Sequence, residues 1–273
     1  MAGRLALVAG AGALVPRAIS AARAAGWEVR VLALHPRDDL AAENPFPIRV
    51  SRPDQVLREI RKFKATHVCA VGGMHMSDRD RETLSEFAGA EKKQSQGDAK
   101  LSQLGSMLLK MLGIPFIGVH EIVSDLLAPE GIIGGVQPDE ETLATARFAL
   151  AKVRAAGELD LGQALVASGA RIVALEDIGG TDALLARCSQ LRQRGLIGDG
   201  QARIVLAKAS KPGQPLHVDL PAIGPDTVTG AQALGAQAIV VETGRTLLIE
   251  REQIIARSDA AGIALIGIRP DDQ

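Results

Sequence analysis

The sequence predicts an α/β protein of two domains: an N-terminal Rossmann-like unit on a parallel sheet, and a C-terminal α/β unit with a mixed sheet. Three observations predict it. Short apolar runs alternate with helical stretches from the start of the chain, the pattern of a parallel sheet covered on both faces. A Pro- and Gly-containing stretch from Ala128 to Pro138 interrupts that periodicity. Beyond it, two apolar runs flank Ser168-Gly169-Ala170 as in a hairpin. A length of 273 residues suits two domains of ordinary size. The expected boundaries are 1–130 for the N-terminal domain, 131–138 for a linker and 139–273 for the C-terminal domain.

Taken in order, Leu5 to Ala9 reads as a strand ending in Gly10-Ala11-Gly12, Ala18 to Ala25 as a helix closed by Gly26, and Glu28 to Leu34 as a second strand. Val56, Ile60 and Phe63 share one face of a helix from Val56 to Lys64. His67 to Val71 is a third strand, Leu101 to Leu112 a helix and Ile114 to Val119 a further strand. In the second half, Asp139 to Ala156 is a helix with acidic residues in its first turn. Gln163 to Ala167 and Arg171 to Leu175 form the hairpin, Thr181 to Gln193 a helix and Ala202 to Ala207 a strand. Pro225 to Leu234 is helical, short strands surround Thr243-Gly244, and Gln253 to Ala261 and Ile263 to Ile268 finish as helix and strand.

Composition narrows the function. One Trp, five Phe and no Tyr leave few stacking platforms, and a net charge of −1 gives no general attraction to polyanions, so no nucleic-acid partner is expected. Cys69 and Cys188 form no CxxC pair and read as buried thiols in a reducing compartment. The apolar N-terminal run breaks at Pro16 and Arg17, too early to span a bilayer. A cytoplasmic protein is therefore expected.

Two segments carry candidate chemistry. Gly10 and Gly12 lie between a strand and a helix, where backbone N–H groups can approach an anion. The dinucleotide fingerprint needs a third small residue where Val15 stands, and an acid after the second strand, where the chain has Leu34-His35-Pro36. That leaves a dinucleotide oxidoreductase as a minor reading, beside a tight strand-to-helix turn and a nucleotide or sugar-phosphate contact, which both remain open for this loop. The second segment runs from Lys208 to Gly224 and includes Lys211, Gln214, His217 and Asp219 among three prolines. Lysines can face phosphate oxygens and a carboxylate can hold a hard cation. By composition alone, a solvated loop with surface lysines is the favoured reading of this segment.

The motifs go further together. Lys208-x-x-Lys211-Pro212-x-Gln214 followed by Val218-Asp219-Leu220-Pro221-x-Ile223-Gly224 resembles the signature of the UDP-2,3-diacylglucosamine diphosphatases of lipid A synthesis. Leu159-Asp160-Leu161-Gly162-Gln163, Glu176 with Gly180-Thr181-Asp182, Glu242-Thr243-Gly244 and the N-terminal Ala9-Gly10-Ala11-Gly12 resemble further stretches of that family in order and spacing. The resemblance implies hydrolysis of the substrate's diphosphate to UMP and 2,3-diacylglucosamine 1-phosphate with a divalent metal, Mg2+ foremost. It implies Asp219 as the catalytic residue, binding metal or activating water. Lys208, Lys211, Gln214, His217, Thr181, Gly10 and Gly12 become candidate substrate contacts. Asp182, Asp98, Glu176 and Glu242 join Asp219 as candidate metal ligands. An acylated UDP-sugar partner, transient peripheral contact with the inner membrane and a homodimer are also implied.

The chain departs from the family pattern at three places. It has Gly97-Asp98-Ala99, Gly179 before Gly180-Thr181-Asp182, and His217 in place of an arginine. These losses keep open a diverged, non-catalytic binder of nucleotide or acylated sugars. His35, His67, His75, His120 and His217 show no HxH or HExxH spacing, which disfavours a zinc hydrolase.

Overall fold

The computed structural model describes residues 3–73, 76–87, 113–213, 216–217 and 220–269. These fall into two compact units. One contains the chain up to Ser124 together with Leu216 and His217 of the later loop, and the other runs from Asp125 to the C-terminal strand.

The N-terminal unit is built on β1 (Arg4–Ala9), β2 (Glu28–Ala33), β3 (Phe46–Pro47) and β4 (His67–Val71). They pair in parallel in the order β3-β2-β1-β4. Alternate residues point to opposite faces. Ala6, Leu32 and Val68 pack with Ile60 and Val56 of helix α2 (Pro53–Lys62). Helix α1 (Leu14–Ala24) buries Leu14, Val15, Ala18, Ile19 and Ala22. It starts four residues earlier than the sequence predicts, because Pro16 falls in its first turn, where a missing N–H leaves no hydrogen bond unmade. Helix α3 (Asp78–Phe87) follows β4. The helix expected over Leu101 to Leu112 lies outside the described residues.

Ile114 to Val119 is not the full strand expected. Val68 N–H donates to Pro115 O at 3.0 Å and Ile117 N–H to Val68 O at 2.9 Å, and the chain then turns into the short helix α4 (Val119–Ile122). The Glu121 carboxylate accepts the Gly118 N–H at 2.7 Å, which closes that turn.

The second unit holds a sheet in the order β5-β12-β10-β8-β6-β7. Its strands are β5 (Gly131–Gly134), β6 (Ala164–Ser168), β7 (Arg171–Leu175), β8 (Ile204–Lys208), β10 (Ala238–Glu242) and β12 (Ala264–Ile268). β8, β10 and β12 are mutually parallel, whereas β5, β6 and β7 run antiparallel to their neighbours, so the sheet is mixed as expected. Part of the stretch read as a linker is β5: Ile132 and Ile133 supply an edge strand between glycines that read as turns. The strands β9 (Ala222–Ile223) and β11 (Leu247–Leu248) pair separately.

Strict alternation buries both faces of the larger sheet. Val166, Ile204, Leu206, Ile239, Val241 and Leu265 face helices α6 (Gly180–Gln193), α7 (Pro225–Leu234) and α8 (Arg251–Ala261). Leu165, Val205, Ala207, Val240 and Ile266 face the long helix α5 (Glu140–Glu158) through Ala146, Ala149, Leu150 and Val153. The alanines allow α5 to approach the sheet closely. Cys69 and Cys188 are both buried free thiols. Among the described residues, no helix is long and apolar enough to cross a membrane.

Candidate active site

One edge of the mixed sheet collects most of the polar residues singled out from the sequence. The parallel strands β8 and β10 end there at Lys208 and Glu242, and β7 ends beside Glu176. Antiparallel pairing places the start of β6 opposite Lys208. Ligands of α/β sheets bind outside the carboxyl ends of parallel strands, so this edge is the candidate site.

Lys208 continues the buried run of β8, which fixes its backbone. Its Nζ donates to Thr181 Oγ1 at 2.7 Å, and that hydroxyl donates to Glu176 Oε1 at 2.6 Å. The other oxygen of Glu176 accepts the Gln163 N–H at 2.9 Å. A hydroxyl has one proton, so donation to Glu176 leaves Thr181 as an acceptor and orients the Lys208 ammonium. A second cation stands three residues on. Lys211 is 7% exposed and its Nζ pairs with the carboxylate of Asp160. Asp160 follows α5 in a left-handed backbone conformation, φ 59°. A short-side-chain acid tolerates that conformation, which turns the carboxylate back toward Lys211.

Between the lysines, Ser210 is clamped. Its N–H and its hydroxyl both donate to Glu242 Oε2 at 2.8 Å, and Arg245 Nε donates to the same hydroxyl at 2.8 Å. Arg245 also lies 3.6 Å from the second oxygen of Glu242, which is 3% exposed. This network holds the backbone that spaces Lys208 from Lys211.

The candidate metal ligands among the described residues have other partners or stand apart from a cluster. Glu176 and Glu242 each orient a neighbour through N–H and O–H donors, and Asp182 is exposed in the first turn of α6, where it favours the helix dipole. Among the described residues, no three His, Cys, Asp or Glu side chains come together as a metal cluster. Asp219, Gln214 and Asp98 lie outside the described residues. His217 belongs to the N-terminal unit, with its ring 5.9 Å from that of Phe116.

The glycine loop closes on its own unit. Gly10 N–H donates to Val71 O at 2.8 Å, and Ala11 exchanges two 2.9 Å hydrogen bonds with Gly73. A Cβ on Gly10 would meet Gly73 O at 2.4 Å, so close backbone approach accounts for this glycine. Gly12 has open space on its Cβ side and a φ of 107° that side chains rarely adopt. The guanidinium of Arg37 bridges the carbonyls of both glycines, at 2.7 and 3.2 Å, and pairs with Asp39 at 2.5 Å. That ion pair holds the Asp39 carboxyl below its usual range.

The sequence alone does not single out Arg37, Asp160, Ser210 or Arg245 as site residues. Asp160 was within a quoted motif; its carboxylate matters because the left-handed turn aims it at Lys211. Arg37 carried no signal, since it acts on carbonyls that no side-chain pattern reveals.

The fold and this edge define a two-domain α/β protein whose C-terminal unit holds two lysines, each engaged by a neighbouring side chain, at the carboxyl edge of its mixed sheet. The chain belongs to the LpxI family: the model of the LpxI N-terminal domain matches residues 4–126 and that of the LpxI C-terminal domain matches residues 129–266. It is 32% identical over 282 residues to the UDP-2,3-diacylglucosamine pyrophosphatase LpxI of Caulobacter vibrioides (strain ATCC 19089 / CIP 103742 / CB 15), covering 99% of each chain.

Proposed function

We propose that this protein hydrolyses the diphosphate of UDP-2,3-diacylglucosamine, releasing UMP and 2,3-diacylglucosamine 1-phosphate, in lipid A synthesis. Similarity to a UDP-2,3-diacylglucosamine pyrophosphatase over 99% of both chains carries this reading. The site supplies compatible chemistry. Lys208 and Lys211 screen the phosphate oxygens, Thr181 and Glu176 orient Lys208, and Asp160 and the Ser210–Glu242–Arg245 network set Lys211. A water oxygen attacks one phosphorus, the bond from that phosphorus to the bridging oxygen breaks, and the two phosphate products share the protons of the water.

The reaction is assigned to Asp219, with Gln214, His217 and Gly12 as further substrate contacts. Glu176 and Glu242 fit poorly as metal ligands, because protein donors engage both oxygens of Glu176 and one oxygen of the buried Glu242, with Arg245 beside the other. Mg2+ is commonly held by one or two carboxylates and substrate phosphate oxygens, without a dedicated protein cage. Asp219, with Asp98 as a second carboxylate, suits that kind of site. Such a cation would neutralise charge at phosphorus and acidify the attacking water. The acylated substrate implies transient, peripheral contact with the inner membrane from the cytoplasmic side, and a homodimer is proposed for the assembly.

The test is UMP release from UDP-2,3-diacylglucosamine by the purified protein, with Mg2+ and with EDTA. Magnesium-dependent release that disappears in Asp219→Ala is expected. Tight binding of the substrate without release of UMP identifies the diverged binder instead. Equal rates with EDTA remove the metal, and near-normal turnover by Asp219→Ala removes that residue from the mechanism.

A further inference from the structure

His120 stands on α4, and its Nδ1 is screened from solvent without a hydrogen-bond partner among the described residues. Buried polar nitrogens are nearly always matched, and an exception calls for an explanation. The surroundings supply one. A Cβ built on Gly118 would stand 2.3 Å from His120 Cε1 and 2.5 Å from Nδ1, and 3.2 Å from the Cα of His217. Gly118 is thus bare where the imidazole and the returning loop backbone converge. The His217 ring lies 5.9 Å from that of Phe116, so Phe116, Gly118, His120 and the backbone at His217 come close together within the N-terminal unit. Residue 217 belongs to the loop that leaves Lys211 and carries Asp219 along the chain.

We infer that His120 is a positioning residue for the hydrolysis. Its ring seats the chain at His217, and its Nδ1 is the hydrogen-bonding atom that becomes engaged there when a phosphate-bearing ligand is bound. The inference rests on the hydrolase reading above. It differs from a packing role in one respect: packing needs only the ring, whereas positioning needs the nitrogen. His120→Phe retains a ring without the nitrogen. His120→Asn retains a polar nitrogen near the place of Nδ1 and gives up most of the ring.

The experiment measures UMP release by wild-type protein, His120→Phe and His120→Asn, with thermal unfolding of each. Misplacing a reacting group affects the chemical step more than ground-state binding, so His120→Phe should lower kcat by about tenfold or more with KM changed less than about threefold. His120→Asn should recover part of that loss. Wild-type turnover in His120→Phe overturns the inference, as does a folded His120→Asn no better than His120→Phe. A measurement on the unsubstituted protein covers the case in which a variant fails to fold. In 15N-histidine NMR, saturating 2,3-diacylglucosamine 1-phosphate should shift the His120 Nδ1 resonance, and an unmoved resonance overturns the inference. Absence of turnover in the wild type is a different failure, that of the hydrolase reading.

Discussion

Glu242 grips Ser210 twice, accepting its backbone N–H and its hydroxyl on one carboxylate oxygen at 2.8 Å each. The pair lies at the ends of adjacent parallel strands, where β8 gives way to the lysine loop. Both residues are buried, at 3% exposure each. Glu242→Ala should therefore strand two donors and cost about 2 kcal/mol of stability, the usual penalty for an unmatched buried polar group. Glu242→Gln keeps an acceptor oxygen and should cost less. Urea unfolding checks the order, and equal stability of Glu242→Ala and wild type would mean that the clamp contributes nothing.

The Lys208–Thr181–Glu176 chain predicts coupling. Thr181→Val removes the acceptor that orients Lys208 and the donor that engages Glu176. We expect a loss of about tenfold in kcat/KM, about 1.4 kcal/mol of transition-state stabilisation. Glu176→Gln should cause a smaller loss. Groups acting through a shared hydroxyl are not independent, so the double variant should lose less than the product of the two single losses. A fully multiplicative double variant would show that Glu176 does not act through Thr181.

Strand periodicity was strong enough to reveal most of the fold. Ile204, Leu206 and Val205, Ala207 alternate faces in β8, and His67–Val71 matches its predicted span. Weak signals failed where hydrogen bonding outside the local sequence decided the outcome. Gly131–Gly134 is a strand because β12 offers it a free edge, and Ile114 to Val119 bends because Glu121 captures the Gly118 N–H. At the site, residue types were readable but roles were not. Glu176 and Glu242 look like metal ligands in sequence, and only their donors reveal them as orienting groups.

Both cysteines should resist alkylation. Burial pushes the Cys69 thiol up to about 12, with the charge of Glu121 adding to the effect, and burial raises Cys188 to about 11. The thiolate is the reactive form. Iodoacetamide near pH 8 should label neither thiol in the native protein and both in urea. Rapid labelling of the native protein at either position would contradict the packing around that cysteine.

Asp139 ties helix stability to pH. It caps α5 by accepting the Thr142 N–H at 2.8 Å and pairs with Arg203 at 2.5 Å. Hydrogen bonding from Thr142, from its side chain first and then its backbone, holds the Asp139 carboxyl below its ordinary range. A lowered folded-state value means that the contribution is complete above the unfolded value, about 3.9. It is lost as pH falls through the lowered folded value. Asp139→Asn preserves a capping oxygen and cannot titrate. Its Tm should fall less steeply than that of the wild type below about pH 4, and identical slopes would remove Asp139 as a source of acid sensitivity.

Lys211 and Asp160 separate charge orientation from backbone strain. Asp160 holds the lysine from a left-handed position, φ 59°. Asp160→Gly removes the carboxylate while easing that conformation, so the turn survives and the Asp160–Lys211 ion pair is lost. With its ammonium no longer held by Asp160, Lys211 should bind phosphate less selectively, and KM should rise by a few-fold, as for the loss of a charge-assisted hydrogen bond partly screened by water. Asp160→Ala removes the same carboxylate but leaves the strain, so it should match Asp160→Gly in KM and fall below it in Tm. Lys211→Met removes the charge and keeps much of the aliphatic stem that packs beside Gly157. Its KM should rise further than that of Asp160→Gly, by about tenfold or more if the ammonium contacts phosphate directly. An unchanged KM in Lys211→Met, together with a normal Tm, would place Lys211 outside the substrate site and leave Lys208 as the phosphate contact on this edge.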